Sequence, residues 1–187
     1  RDLEIFSSSS GDASAPTLYK SLNFTMTAMG ARTLRSWLTR PLMDVGDIDR
    51  RLDAVSLFFD DQVTRGRIQG LLKGVSDLER LTNRVRTNTV TPRDLVSLKI
   101  GLSLIPDLVD ALPEQLIPGG AVVGRLHPCR EVVELLQAAI PDDPSITVGE
   151  GSAIREGFHT ELDEVRSLSG NARKSIASLE SDQREST

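Results

Sequence analysis

Thr91-Pro92-Arg93-Asp94-Leu95-Val96-Ser97-Leu98-Lys99-Ile100-Gly101-Leu102-Ser103-Leu104-Ile105-Pro106 is the stretch that decides the fold. Thr91 can accept from the free backbone N–H groups of a helix start, and Pro92 suits the first helical position, where an N–H would lack a partner anyway. Asp94 then favours the positive end of the helix dipole. Behind this start Leu95, Leu98, Leu102 and Ile105 recur at three- and four-residue intervals, which lays one apolar stripe along a long helix. Pro106 predicts an end or a kink, after which Leu108 to Leu112 resume the pattern.

The same period extends to both sides. Before it, Met29, Leu34, Trp37 and Leu38 predict a helix that Pro41 closes, because a residue preceding proline is pushed out of the α region. Asp44 can cap a second helix carrying Ile48, Leu52, Val55 and Phe59 on one stripe, with Asp49, Arg50 and Asp53 opposite. Val63 to Leu72 leads to Gly74, and Leu78, Leu81 and Val85 mark a further amphipathic segment over Asp77 to Val85. Beyond it, Pro118-Gly119-Gly120 signals a loop before a helix from about Cys129 to Ile140, which Pro141 and Pro144 stop. Ile146 to Val148, turned by Gly149 to Gly151 toward Ala153 to Arg155, predicts one small β-hairpin. From Thr160 onward Leu162, Val165, Leu168, Ala172, Ile176 and Leu179 form a narrow seam suited to pairing with a single helix. The fold expected is all-α, with a long terminal helical arm.

Composition agrees and narrows the function. Hydrophobic residues make up 39% of the 187 positions but aromatics only 4%, which favours interdigitated helices over an aromatic-rich sandwich. With 22 basic and 27 acidic residues the net charge is −5, so the field of the whole chain repels a polyphosphate and any nucleic-acid contact must be local. The single cysteine, Cys129, can make no intrachain disulfide, and no secretory signal opens the chain, so a cytoplasmic setting is expected. No apolar run approaches the roughly 20 residues that span a bilayer. Arg1 in place of an initiator Met, and a charged helical segment without stop chemistry at Thr187, lead to the expectation of an excised fragment.

Candidate chemistry is sparse. No Gly-x-x-x-x-Gly-Lys-Ser/Thr loop occurs, and Gly149-Glu150-Gly151 has neither the lysine nor a further glycine, so no cofactor is expected in this chain. His127 and Cys129 could be two metal ligands, but a zinc site needs a second pair and only His159 remains. A Cys129/His159 nucleophile pair lacks an orienting group and an oxyanion hole, and Glu161, Asp163 and Glu164 are explained by the dipole of a helix start. Catalytic and metal sites are therefore expected to be absent. Arg32, Arg35 and Arg40 surround Trp37 and could meet phosphates; the reading preferred is that Trp37 is core and the arginines pair with nearby acids such as Asp44 and Asp47. On the terminal arm Arg173, Lys174 and Arg184 are weak candidates for DNA contact, since they alternate with Glu180, Asp182 and Glu185 as on a solvated face.

The block Thr25-Met26-Thr27-Ala28-Met29-Gly30-Ala31-Arg32, followed by Leu34-Arg35-x-Trp37-Leu38-x-x-Pro41-Leu42, resembles the core-domain signature of the MutS family of DNA mismatch-repair proteins. Four further blocks follow in family order: Ile48-x-x-Arg51-Leu52-Asp53-Ala54-Val55, Asp77-Leu78-Glu79-Arg80-Leu81-x-x-Arg84-Val85, Pro92-Arg93-Asp94-Leu95, and Ile154-Arg155-x-Gly157-Phe158-x-x-Glu161-Leu162-Asp163-Glu164-Val165-Arg166. Ser7 to Ser14 matches no family motif, and Val165 matches less well than its neighbours. The first block looks more like the repair branch than its recombination relatives.

The resemblance implies a connecting segment or flexible loop over 1–16, a helical core or lever domain over 17–160, and over 161–187 the start of a long helical arm toward a DNA clamp. Clamp, mismatch-reading domain and ATPase would lie outside the chain, and with them the ATP and Mg of the full-length protein. It further implies mismatched duplex DNA, a second copy and a MutL-type repair protein as partners, no membrane, and a nucleoid-associated place in the cytoplasm. The function expected is a structural lever coupling ATPase state to the clamp. The alternative is a free-standing helical adaptor that binds a partner helix through the Leu162 to Leu179 seam. A small hydrolase or transferase would require a concave site with convergent polar groups, which the sequence does not offer.

Overall fold

A computed structural model describes residues 4–8, 14–113, 116, 127–145 and 153–185, with the side chains of 173–185 excepted. Among them are nine α-helices and no strand: α1 (Leu18–Leu22), α2 (Ala28–Thr39), α3 (Val45–Asp60), α4 (Gln62–Lys73), α5 (Leu78–Arg86), α6 (Pro92–Ser103), α7 (Ile105–Ala111), α8 (Arg130–Ala139) and α9 (Thr160–Glu185). The expected hairpin falls largely on residues 146–152, outside the described residues; its far limb, from Ala153, is turn and bend leading into α9.

Short-range hydrogen bonds set the helix starts. Thr17, Thr27, Asp44, Asp61 and Asp77 each accept a backbone N–H from the residue three further on, which satisfies a donor the helix itself cannot. At α6 the cap is reciprocal: Asp94 N–H donates to Thr91 Oγ1 at 3.2 Å, and Thr91 N–H donates to Asp94 Oδ2 at 3.0 Å. The α6 stripe breaks one residue before Ile105 rather than bending through it. Leu104 is the C-cap of α6 and the N-cap of α7, and Pro106 sits in the first turn of the new helix, where its missing N–H costs nothing. At the end of α5, Asn88 takes the left-handed conformation at φ +54° and Thr89 N–H returns to Arg84 O at 3.0 Å.

The core is built around α6, which packs against α5, α7 and α8. Leu81 of α5, Leu98 of α6, and Leu136 and Ala139 of α8 with Ile140 after it are buried together, and Leu78, Leu95, Val96, Leu102 and Ile154 pack on them. At Gly101 Leu78 of α5 fills the space beside α6, since a β-carbon there would lie 2.7 Å from Leu78 Cδ2. Outside this centre α4 packs on α7, α3 on α4, and α1 on α2. Near the N-terminus Glu4 and Ile5 return to α1, where Tyr19 N–H donates to Ile5 O at 2.9 Å, and the rings of Phe6 and Tyr19 lie 5.8 Å apart.

Two sequence expectations need correction. Trp37 is not core: it is 45% exposed, with the Arg51 guanidinium 3.7 Å from its ring centroid. Nor do the arginines around it use Asp44 and Asp47. Asp44 caps α3 and Asp47 pairs with Arg50, while Arg32 crosses to Asp77 and Glu79 and Arg35 lies 4.4 Å from the Phe6 ring centroid. Proximity in sequence was a poor guide because the fold brings the start of α5, 45 residues further on, within reach of the Arg32 guanidinium.

Candidate arm junction

Val165 and Leu168, on the seam of α9, are exposed. Three short links fasten the first turn of the helix to the loop before it. Gly157, at φ +84°, turns the chain into the helix, and its N–H donates to Asp163 Oδ2 at 2.7 Å. Asp163 Oδ1 accepts from Arg166 Nη1 at 3.2 Å, and Arg166 Nη2 donates to Ile154 O at 3.1 Å. The acidic first turn read from the sequence as dipole electrostatics is thus also a clasp closing the loop 154–157 onto the first turn of α9.

The loop is in turn fastened to the core. Arg155 N–H donates to Ala139 O at 2.7 Å and its Nη2 to Ile140 O at 3.0 Å, which meets carbonyls at the end of α8 that have no partner within that helix. Arg155 Nη2 lies 4.0 Å from Asp142 Oδ2, and Asp142 Oδ1 accepts from Lys99 Nζ at 2.6 Å. Lys99 is 7% exposed, in the middle of α6. The Lys99 ammonium beside Asp142 holds that carboxyl below its ordinary range, with Arg155 adding to the effect. Ion pairs therefore run from the central helix α6 through Asp142 to Arg155, and the carbonyl of its chain neighbour Ile154 accepts from Arg166 at the root of α9. A cleft of about 570 Å³ beside it is lined by Pro141, Arg155, Glu156, Asp163 and Arg166 among others, with its two arginines balanced by two acids.

A second polar group ties α2 to α5. Arg32 donates to both oxygens of Asp77, at 2.7 and 2.8 Å, and to Glu79 at 2.6 Å. The guanidinium, followed by the Arg80 N–H that Asp77 also accepts, holds the Asp77 carboxyl down at about 2. Arg84 Nη1 similarly donates to both oxygens of Asp94 at 2.8 Å, joining α5 to the start of α6.

The candidates named from sequence fall elsewhere. Arg173, Lys174 and Arg184 lie along α9, and their side chains are outside the described residues. His127 and Cys129 engage each other: Cys129 N–H donates to His127 Nδ1 at 3.1 Å and Cys129 Sγ donates to His127 O at 3.4 Å. Among the described residues no group of three or more His, Cys, Asp or Glu is placed to hold a metal, and no helix is long and apolar enough to cross a membrane.

The junction residues Lys99 and Asp142 went unremarked in the sequence, although one signal was available. Lys99 stands four residues after Leu95 and three before Leu102, so it lies on the apolar stripe of α6, and a charge there needs a partner. Nothing local indicated that the partner would be Asp142, 43 residues away.

The sequence profile of the family described as MutS domain III matches residues 1–185. Among curated relatives, the DNA mismatch repair protein MutS of Dehalococcoides mccartyi is 39% identical over 191 residues, covering 100% of this chain and 22% of that protein. The protein of the same description from Salinibacter ruber is 40% identical over 191 residues, covering 100% of this chain and 21% of that protein. That from Oceanobacillus iheyensis is 43% identical over 168 residues, covering 89% of the chain and 19% of the relative. The chain spans about a fifth of the length of these relatives.

Proposed function

The chain belongs to the MutS domain III family, and from that membership we propose that it is the core and lever region of a mismatch-repair protein, passing displacements between an ATPase domain and a DNA clamp. The observation that carries the reading is the polar chain from buried Lys99 through Asp142 and Arg155, continued by the Arg166–Asp163 clasp, at the root of α9. A lever works only if its base does not yield. Close-packed helices resist compression, and a root held by several hydrogen bonds turns with the body instead of hinging on the loop 154–157.

In this reading the chain takes no catalytic step. ATP and Mg would be held in the ATPase domain of a longer polypeptide, and mismatched duplex DNA in its clamp and mismatch-reading parts. A second copy and a MutL-type protein would be partners of that assembly. Arg173, Lys174 and Arg184, near the end of α9, are proposed as weak phosphate contacts where the arm nears DNA.

The test is made in the full-length protein. Arg166→Ala opens the clasp and Leu168→Gly softens the arm; each should reduce, several-fold, the ratio of DNA dissociation rates measured with and without ATP. ATP hydrolysis in the absence of DNA should stay as it was. An unchanged ratio in both variants would sink the lever. The exposure of Val165 and Leu168 also suits the adaptor reading, in which the isolated chain captures a partner helix on that seam. A low-salt titration of the chain against matched and mismatched duplexes separates recognition from leverage: the lever predicts at most weak binding with no preference for the mismatch.

A further inference from the structure

Residues 4–8 lie against α1 and α2 without belonging to either helix. A helix of five residues, such as α1, satisfies almost none of its backbone donors internally, so its first turn depends on acceptors from outside. Thr17 Oγ1 accepts from Lys20 N–H, and the two donors before it are met by the incoming segment: Leu18 N–H donates to Glu4 O at 3.3 Å and Tyr19 N–H to Ile5 O at 2.9 Å. Glu4 sits at φ +46°, a left-handed conformation that is costly for a residue with a side chain and persists only while its surroundings impose it. Burial does not impose it, since none of residues 4–8 is buried.

Side chains supply the hold. The rings of Phe6 and Tyr19 are tilted at 50°, and the Arg35 guanidinium reaches from α2 to 4.4 Å from the Phe6 centroid and 5.8 Å from that of Tyr19. Among the described residues Arg35 makes no ion pair, so the two ring faces are what its charge meets. Tyr19 is itself fixed on α2, where its hydroxyl donates to Ala31 O at 3.4 Å. One turn before Arg35, Arg32 holds Asp77 and Glu79, so the helix that seats the segment is tied to α5. We propose that residues 4–8 form a strap that opens and closes as a unit on α1 and α2, with the Arg35 guanidinium on Phe6 as its latch. Held by one stack and two hydrogen bonds, the strap opens more readily than the core around α6. Once it is open, residues 4–16 can extend over up to about 40 Å, so the latch sets the length of the connection ahead of α1. The inference goes beyond the lever role and does not depend on it.

Amide exchange followed by NMR on the full 187-residue chain tests the strap. The Leu18 and Tyr19 amides report on it, and those of Leu81 and Ile140, which donate to Asp77 O and Leu136 O, report on the core. In the unaltered protein the first two should be at least about tenfold less protected than the second two, and equal protection would overturn a separately opening unit. Phe6→Leu and Arg35→Met should each speed exchange at 18 and 19 about two- to fivefold, the measure of an exposed cation–π contact, and leave 81 and 140 unchanged. Neither residue belongs to the buried cluster, so both variants keep the core. Because the two substitutions remove one shared contact, the double variant should be no faster than the faster single one, and effects that multiply would overturn the latch. Phe6→Tyr keeps a ring face and should restore the original rates. Were it to behave like Phe6→Leu, apolar cover and not the stack would hold the segment, and Arg35 would lose its role. Acceleration at all four amides would make residues 4–8 part of the core's own cooperative unit and would likewise overturn the strap.

Discussion

Lys99 Nζ lies 2.6 Å from Asp142 Oδ1, so a cation on the buried face of α6 is neutralised by a carboxylate that is itself largely in solvent. The arrangement is asymmetric, and the asymmetry decides how each partner responds to substitution. Asp142→Ala removes the counter-charge and leaves the ammonium in a poorly solvated place. Lys99→Met removes the charge and keeps the apolar stem. Asp142→Ala should therefore lower the urea midpoint more than Lys99→Met does. The opposite order would mean that the pair does not hold α6 to the loop after α8.

Three carboxylates paired with cations of other segments make the fold sensitive to acid. Asp77 is held at about 2 against an ordinary 3.8, chiefly by Arg32; Asp94 is lowered first by the Thr91 N–H and then by Arg84, and Asp142 by Lys99. Each is depressed in the folded state, so the unfolded chain binds more protons as pH falls, and the stability they contribute is complete above the ordinary value and lost on the way down to the folded one. Urea midpoints should thus be flat down to about pH 4 and fall steeply toward about pH 2. Asp77→Asn should lower stability at neutral pH and make the acid limb shallower. An acid limb of unchanged steepness would remove Asp77 from the account.

Gly101 and Gly66 are both helical glycines with opposite surroundings. A β-carbon at Gly101 meets Leu78 Cδ2 at 2.7 Å, whereas at Gly66 in α4 nothing lies within 4 Å. Gly101→Ala should destabilise by about 1 to 3 kcal/mol because α5 and α6 must separate, or Leu78 must leave its rotamer. Gly66→Ala should stabilise by about 0.5 to 1 kcal/mol through helix propensity and the entropy of the unfolded chain. Thermal melts of the two variants should move in opposite directions.

Leu81 and Val55 separate the core from the exposed stripe of α3. Leu81 is buried among α5, α6 and α8, and truncation to Ala should cost about 2 to 4 kcal/mol. Val55→Ala in the 187-residue chain should cost less than about 0.5 kcal/mol, since water already reaches most of the side chain. Comparable losses in the two would mean that α3 is covered within this chain itself.

Much of this architecture was legible in the residues, and the legible part has a common physical origin. Thr91-Pro92-x-Asp94 announced the start of α6 and Asp44 that of α3, because a cap is a hydrogen bond between groups three positions apart. The five MutS blocks likewise carried the family, which the domain III profile then matched over 1–185. The short helix α1 escaped notice, since five residues give too little periodicity to read.

Tertiary structure alone decided which stripe is core and which is surface. Leu95, Leu98 and Leu102 on α6 and Leu52, Val55 and Phe59 on α3 repeat at the same helical spacing, yet α6 is enclosed by α5, α7 and α8 whereas α3 rests mainly on α4. Periodicity states that a helix has an apolar face but not what will lie against it, because burial depends on chain segments far away in sequence. For the same reason Lys99 could be seen to need a partner while Asp142 could not be named, and Arg32 found Asp77 instead of the acids nearer to it in the chain.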